Sequence, residues 1–103
     1  DAEAFKKMQS HAVFVNISRG AVVDEQALIQ ALEQKQIFAA GLDVYEKEPL
    51  QDSALFQLHN VVTLPHVGSA TSVTRKKMAE LAYQNLVKVL EGGQPQYVVN
   101  PEF

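Results

Sequence analysis

Residues 13–20 read Val13-Phe14-Val15-Asn16-Ile17-Ser18-Arg19-Gly20 and begin a strand-helix unit. The first five residues are mostly β-branched or aromatic, which predicts a strand over 13–17, and Gly20 ends that strand. A helix is predicted next, because Asp24 can cap it and its apolar residues share one face: Ala27, Leu28, Ala31 and Leu32. A strand followed at once by an amphipathic helix is the repeating unit of α/β proteins.

Two more short apolar runs lie downstream of that unit. They cover Ala39 to Val44 and Val61 to Leu64, and each predicts a further strand. Residues 53–58 can hold one helical turn between them. The tail from Gln94 to Phe103 contains two prolines and a Val-Val pair, so we expect it to be extended and docked on another surface.

Helices are predicted at both ends of this pattern. Asp1 can cap a short helix over Ala2 to Met8. Thr71 or Ser72 can cap a second helix that runs to Glu91, where two glycines end it. This second helix would be on the order of 30 Å long. One of its sides is apolar and carries Met78, Leu81, Ala82, Leu86, Val89 and Leu90.

The order of elements is helix, strand, helix, strand, short helix, strand, long helix. Alternating units with nearly continuous apolar strands indicate an α/β fold with a parallel sheet and helices on both faces. Three strands make a narrow sheet, so we interpret residues 1–71 as the C-terminal half of a doubly wound domain. Residues 72–103 would form a long helix and tail that pack on a domain this sequence lacks. Because the pattern begins at its middle, we interpret the chain as a fragment.

Composition limits the classes of function. The 103 residues carry a net charge of −3, which argues against a nucleic-acid partner, since such proteins usually have a basic excess. No apolar stretch approaches the roughly 20 residues that a membrane span needs. The absence of cysteine excludes disulfides, thiolate metal sites and cysteine nucleophiles, and we predict no metal site. The composition is compatible with a cytoplasmic protein.

Ionisable side chains follow each of the three predicted strands. Arg19 follows the first strand, and His66 follows the third. The second strand ends at Asp43 and is followed by Glu46 and Glu48, so two or three carboxylates would lie at this edge. Because ligands of an open α/β sheet bind beyond the carboxyl ends of its strands, these groups would meet at one edge. Arg offers a fork for a carboxylate, and His can donate a proton near neutral pH. Each residue alone could be an ordinary loop residue; together they favour a site.

Other charged residues receive structural interpretations. Of the two glutamates after the second strand, the Glu-Pro context favours Glu48, so Glu46 and Lys47 are expected to be solvated loop charges. His11 and His59 precede strands and would lie at the opposite edge of the sheet. Residues 75–77, Arg-Lys-Lys, would form an exposed basic face of the last helix.

Three segments, in order, resemble motifs of the D-isomer-specific 2-hydroxyacid dehydrogenases. Phe14 to Asp24 resembles the family's N-x-x-R-G-x-x-V-D motif. Ala40 to Pro49 resembles G-x-D-V-[FY]-x-x-E-P, and Pro65 to Thr71 resembles P-H-x-[GA]-[SG]-[AS]-T. The resemblance covers essentially the whole chain and is strongest for the branch of glyoxylate/hydroxypyruvate and 2-ketogluconate reductases. It implies a Rossmann-like dinucleotide-binding fold.

The resemblance also implies a catalytic set of Arg19, Glu48 and His66. Arg19 would hold the carboxylate and the 2-oxo group of a small 2-oxo acid. His66 would give a proton to the carbonyl oxygen as hydride arrives from NADH or NADPH. Glu48 would pair with His66 and favour its protonated form.

The cofactor contacts implied by the resemblance lie on the same loops. Asp43 would contact the nicotinamide end, Ile17 and Ser18 would line the cofactor loop, and the backbone of Gly68 and Ser69 would approach the carboxamide. Arg19 and His66 would also lie against the cofactor.

The sequence departs from the family pattern by what it lacks. No G-x-G-x-x-G loop is present, and with it the pyrophosphate site and the residue that selects NAD or NADP are missing. We therefore expect the fragment alone to be nearly inactive and the full-length protein to be a homodimeric oxidoreductase. The alternative is a non-catalytic, dinucleotide-sensing module of the corepressor type.

Overall fold

The computed structural model describes residues 1–100, which form two compact units. The first unit is Asp1–Gly68, and the second begins at Ser69. The assignment of 1–71 to half of a doubly wound domain and of 72–103 to a helix and tail that pack on another domain stays a prediction. Of the predicted tail, 94–100 form no helix or strand, and Gln96 N donates to Asn85 Oδ1 at 3.0 Å. The last three residues of the tail lie outside the described residues.

Every predicted helix and strand is present, usually one or two residues shorter than expected. The helices are α1 (Ala2–Lys6), α2 (Glu25–Glu33) and α3 (Ser72–Leu90), and the strands are β1 (Val13–Asn16), β2 (Ala39–Leu42) and β3 (Val61–Thr63). Short 3₁₀ turns cover Gly20–Val22 and Ala54–Gln57. The predicted caps are confirmed, since the side chains of Asp1, Asp24 and Thr71 each accept a backbone N–H of the helix that follows.

The three strands are parallel in the order β1-β2-β3. Phe14 pairs with Ala40, and Ala40 pairs with Val61. These three side chains contribute to one face of the sheet, where α1 and α2 pack. The core on this face includes Phe5, Leu28, Leu32, Ile37, Leu42 and Leu55, each at most 4% exposed. Because the three strands are parallel, their carboxyl ends all lie at one edge of the sheet.

Within Asp1–Gly68, α1 and α2 cover one face of the sheet. Val13, Val15 and Val62 point away from this core and are 57%, 62% and 63% exposed. Alternation along a strand sends successive side chains to opposite faces, so α1 and α2 can cover only one set. The strands of this unit are apolar on both sides, and its own helices bury one of them.

In the second unit, none of the nineteen residues of α3 is buried. Its predicted apolar side, which includes Met78, Leu81 and Leu86, is at least 40% exposed at these three positions. Arg75, Lys76 and Lys77 are exposed as expected. Within residues 1–100 no helix combines the length and apolar character that crossing a bilayer requires.

Candidate active site

The loops after the three strands lie side by side at the carboxyl edge of the sheet. The N–H of Asp43 donates to the carbonyl of Asn16 at 3.0 Å, which joins the end of β1 to the residue after β2. The N–H of Leu64 donates to the carbonyl of Leu42 at 2.8 Å and joins β2 to the loop after β3. This edge carries the predicted groups of all three loops.

His66 and Glu48 are in direct contact, as the sequence led us to expect. Nδ1 of His66 lies 2.6 Å from Oε2 of Glu48. The other carboxylate oxygen, Oε1, accepts the N–H of Tyr45 at 3.0 Å. The hydrogen bond from His66 lowers the pKa of Glu48, and the Tyr45 N–H and the charge of Arg19 lower it further. Glu48 is therefore a carboxylate that holds one nitrogen of the imidazole, and the ring is oriented by it.

Asp43 lies inside an apolar run of the sequence, and both oxygens of its carboxylate accept hydrogen bonds. Its side chain is buried, with 3% of the residue exposed. Oδ1 accepts the N–H of Val67 and Oδ2 accepts the N–H of Gly68, both at 2.7 Å. The Val67 bond is the largest cause of the lowered pKa of Asp43, and the Gly68 bond and nearby His66 add to it. Asp43 thus anchors the loop immediately after His66.

The loop that Asp43 anchors has an unusual backbone. His66 has a φ of 55°, a left-handed conformation that few residues other than glycine adopt. At Gly68, a Cβ would lie 2.9 Å from Oδ2 of Asp43. The absence of a side chain at 68 therefore permits the short bond between the Gly68 N–H and Asp43.

Arg19 lies on the neighbouring loop after β1. Its side chain is exposed, and Nη1 donates to the carbonyl of Ser18 at 2.6 Å. It is near enough to Glu48 for its charge to lower the pKa of that carboxyl group. The structure thus brings Arg19, Glu48 and His66 to one edge, with His66 and Glu48 bonded and Arg19 beside them.

The residues predicted to face the cofactor lie on the same loops, apart from Ser69. Ile17 and Ser18 are exposed just beyond β1. Asp43 and Gly68 are bonded to each other. Ser69 is the first residue of the second unit. Contact of these residues with a nicotinamide stays a prediction.

Glu46 is exposed, as expected of a solvated loop charge, and it also bonds to the start of α2. Its Oε1 accepts the N–H of Glu25 at 2.9 Å, and its own N–H donates to Oε2 of Glu25 at 3.2 Å. Glu46 therefore satisfies a free N–H in the first turn of α2 and ties that turn to the loop that carries Glu48. Lys47 is exposed as expected.

Three residues have structural roles at the site that the sequence analysis did not predict. Asn16 is buried and bonds to the loop that carries Arg19. Gly20 packs against the backbone of Tyr45. The Tyr45 hydroxyl lies 3.1 Å from the carbonyl of Leu42 and 2.8 Å from that of Leu64, and its burial raises the pKa of Tyr45. All three belong to the quoted motifs, which was the only signal that could have found them.

An open apolar hollow of about 490 Å³ adjoins the bonded pair. His66 and Glu48 contribute to its wall together with Tyr45, Pro49, Leu50, Phe56, Leu64 and Pro65. The bonded pair is therefore bordered on one side by apolar surface.

Comparison with known proteins identifies related sequences and structures. Glyoxylate/hydroxypyruvate reductase B of Escherichia fergusonii is 55% identical over 102 residues, which are 98% of this chain and 32% of that protein. An NADPH-dependent glyoxylate/hydroxypyruvate reductase from Sinorhizobium meliloti, solved with NADP and malonate, superposes with a TM-score of 0.93 at 39% identity. That match covers all of this chain and 33% of the other.

A more distant structure shares the fold. D-lactate dehydrogenase with NAD⁺ from Lactobacillus jensenii has a TM-score of 0.80 at 30% identity, over 95% of this chain and 34% of that one. The chain thus spans about a third of the length of the relatives it matches. The family model for the NAD binding domain of D-isomer specific 2-hydroxyacid dehydrogenases matches residues 1–68. The chain therefore belongs to the D-isomer specific 2-hydroxyacid dehydrogenase family and carries part of its NAD-binding domain.

Proposed function

We propose that the gene product containing these residues reduces 2-oxo acids to D-2-hydroxy acids with NADH or NADPH, with His66 as the proton donor. The substrates would be of the glyoxylate, hydroxypyruvate or 2-ketogluconate type. The observation that carries the proposal is the 2.6 Å contact between His66 and Glu48 at the sheet edge that also bears Arg19. The reductase names of the relatives favour catalysis over a dinucleotide-sensing module.

The proton transfer is assigned to one nitrogen of His66. Because Nδ1 is engaged by Glu48, Nε2 is the nitrogen that would donate to the carbonyl oxygen of the substrate. The bond to His66 lowers the pKa of Glu48, so Glu48 is a carboxylate that orients the ring with Nε2 directed away from it. In the reverse direction the same nitrogen would accept the proton from the hydroxyl group.

Substrate binding is assigned to Arg19. Its guanidinium presents parallel N–H donors that match the two oxygens of a carboxylate. The side chain is exposed at the edge beside Glu48, where a 2-oxo acid could reach Arg19 and His66 together. Arg19 would hold the acid in the orientation that places its carbonyl oxygen near His66.

The residues at this edge fit the nicotinamide end of a dinucleotide. Asp43 uses one lone pair of each oxygen for Val67 and Gly68, so the carboxylate retains capacity to accept an amide N–H of a carboxamide. Ile17, Ser18, Gly68 and Ser69 would complete the contacts. Bound NADH or NADPH would supply the hydride that reaches the carbonyl carbon.

Several properties of the intact protein belong to the same proposal. We propose a homodimeric, cytoplasmic enzyme in which the pyrophosphate of the cofactor is bound outside these residues, because they contain no G-x-G-x-x-G loop. The 103-residue chain alone would then have little or no activity. The relatives bind NADP in one case and NAD⁺ in another, so both cofactors are proposed.

The test is an assay of the purified gene product with hydroxypyruvate and either NADH or NADPH, followed by chiral analysis of the glycerate formed. We expect oxidation of the reduced cofactor and formation of D-glycerate. Formation of L-glycerate, or no turnover of hydroxypyruvate, glyoxylate or 2-ketogluconate with either cofactor, would contradict the proposed function.

A further inference from the structure

Asn16 is one of two buried polar residues among those the structure describes, and the other is Asp43. It is the last residue of β1 and is 5% exposed. A buried amide is costly unless its donor and acceptor are both satisfied. The partners that satisfy Asn16 therefore indicate what the residue does.

All the side-chain partners of Asn16 lie in the loop that carries Arg19. Nδ2 donates to the carbonyl of Arg19 at 3.0 Å. Oδ1 accepts the N–H of Ser18 at 3.1 Å and its hydroxyl at 3.2 Å. The amide thus closes a tight turn by bonding to groups two and three residues further on. The backbone carbonyl of Asn16 accepts the Asp43 N–H, which ties this turn to β2.

The residue after Arg19 is fixed as well. Gly20 lies against the Tyr45 peptide, where a Cβ would clash with the carbonyl group. The backbone of Arg19 is therefore held from both sides, by the amide of Asn16 and by the contact of Gly20. The backbone atoms from which the exposed side chain of Arg19 extends therefore have little freedom to move.

We propose that Asn16 is a positioning residue that sets the reach of Arg19 toward the carboxylate of the substrate. The proposal rests on the proposed function of Arg19. The role requires an amide, because the turn needs a donor for one carbonyl and an acceptor for one N–H at the same time. An aspartate of the same shape keeps the acceptor for Ser18 but loses the donor for Arg19.

Steady-state kinetics of the intact gene product test the proposal with N16A and N16D. We expect both to raise KM for hydroxypyruvate by about tenfold or more, because small displacements of a binding group have large effects. KM for the reduced cofactor should rise less, because Ser18, which Asn16 also holds, is predicted only to line the cofactor loop. The matched control is N60A, since Asn60 also bonds to backbone carbonyls, those of Leu32 and Phe38, but at the opposite edge of the sheet. N60A should leave both KM values unchanged.

A double-mutant cycle separates positioning from a general loss of structure. If Asn16 acts through Arg19, N16A should add nothing to the KM of R19A, because the group that it positions is already absent. Additive effects of N16A and R19A, or an unchanged KM in both Asn16 variants, would overturn the proposal.

Hydrogen exchange provides a readout that does not need turnover. The Ser18 N–H is bonded to Asn16 in the structure, so its exchange should accelerate in N16A and stay slow in N60A. An inactive wild-type protein in which N16A still accelerates Ser18 exchange would count against the proposed function but would support the ordering of the loop by Asn16. Unchanged Ser18 exchange in N16A would overturn the positioning role even in an active enzyme.

Discussion

Gly20 lies so close to Tyr45 that a Cβ at position 20 would come within 1.8 Å of the Tyr45 carbonyl oxygen and within 1.9 Å of its carbon. Both atoms belong to the backbone, which cannot turn aside as a flexible side chain can. The contact joins the loop that carries Arg19 to the loop that carries Glu48. The glycine of the Arg-Gly pair therefore has a packing role that sets the distance between two predicted catalytic residues.

Replacing this glycine by alanine should separate the two loops. We expect G20A to lower the free energy of unfolding by at least about 2 kcal/mol, because the added methyl group has no room. G41A is the matched control, since a Cβ there would meet only Cγ2 of Val15 at 3.9 Å. G41A should be neutral or stabilise by up to about 1 kcal/mol. Urea unfolding of both variants measures the difference, and equal stabilities would contradict the close packing.

Removing the proposed proton donor should affect catalysis more than folding. H66N is the suitable change, because asparagine tolerates the φ of 55° found at this position and cannot act as a general acid. We expect kcat for the reduction of hydroxypyruvate to fall by about 10²–10⁴-fold. H59N, at the opposite edge of the sheet, should retain wild-type activity. A wild-type kcat in H66N would remove His66 from the mechanism.

Removing the charged partner of His66 should lower the rate of the reaction. In E48Q the carboxylate that lies 2.6 Å from Nδ1 of His66 becomes a neutral amide, while the glutamine oxygen can still accept the Tyr45 N–H. We expect kcat for hydroxypyruvate to fall, but by less than in H66N, because the ring loses the charged group that orients it and keeps its own acid group. E46Q is the control, because a glutamine there can still accept the N–H of Glu25, and the hydrogen bonds described for Glu46 join it to Glu25 rather than to His66. An equal loss of kcat in both variants would argue against the assignment of Glu48.

The sequence predicted this pairing because its physical basis is simple. The carboxyl ends of parallel strands share one edge, so Arg19, Glu48 and His66 had to approach each other once three strands were recognised. The choice of Glu48 over Glu46 came from the Glu-Pro context of the motif, and the contact with His66 agrees with it. The catalytic roles themselves remain predictions.

What the sequence did not reveal depends on contacts between distant residues or on loop geometry. Glu46 bonds to Glu25, which is 21 positions away, and no local sequence pattern indicates such a pair. The role of Asn16 depends on the turn that its own side chain closes. The exposure of Val13, Val15 and Val62 was not predicted either, because apolar strands indicate burial on both faces without indicating which elements bury them.

The lowered pKa of Asp43 makes stability depend on pH. A carboxyl group whose pKa is lower in the folded state contributes stability above its ordinary range, about pH 4, and this contribution is lost as pH falls through the lowered value. The pKa of Glu48 is also lowered in the folded protein, so this carboxyl group likewise contributes stability that is lost in acid. We therefore expect the protein to lose stability below about pH 4.

The variant D43N should isolate the share of Asp43 in this pH dependence. It removes the charge and places one amide donor against an N–H of the 67–68 loop, so it should be less stable than wild type at neutral pH. The difference should narrow as pH falls below about 4, because the unfolded chain then binds a proton that folded Asp43 resists. Urea unfolding at about pH 7 and at about pH 3 measures this difference in the free energy of unfolding. The control is D52N, because Asp52 is exposed, and its free energy of unfolding should equal that of wild type at both pH values. A constant difference at both pH values would contradict the role of the charge.

The open face of the sheet can be tested by comparing an exposed valine of a strand with a buried valine. Val15 lies on the open face and is 62% exposed, whereas Val44 is 2% exposed. Exchange of valine for threonine preserves shape and strand preference but adds a hydroxyl group, which is costly only where water is excluded. In the 103-residue chain, V15T should change the free energy of unfolding by less than about 0.5 kcal/mol. V44T should lower it by about 1–3 kcal/mol.

The same pair of variants reports on the intact gene product. If further chain packs on the open face there, V15T should become as destabilising as V44T, because the hydroxyl group would then be buried without a partner. An equal and large loss for V15T and V44T already in the 103-residue chain would contradict the exposure of Val15. Denaturant unfolding of both variants in both proteins therefore decides whether the apolar row of Val13, Val15 and Val62 is a free surface of the protein or one that another segment covers.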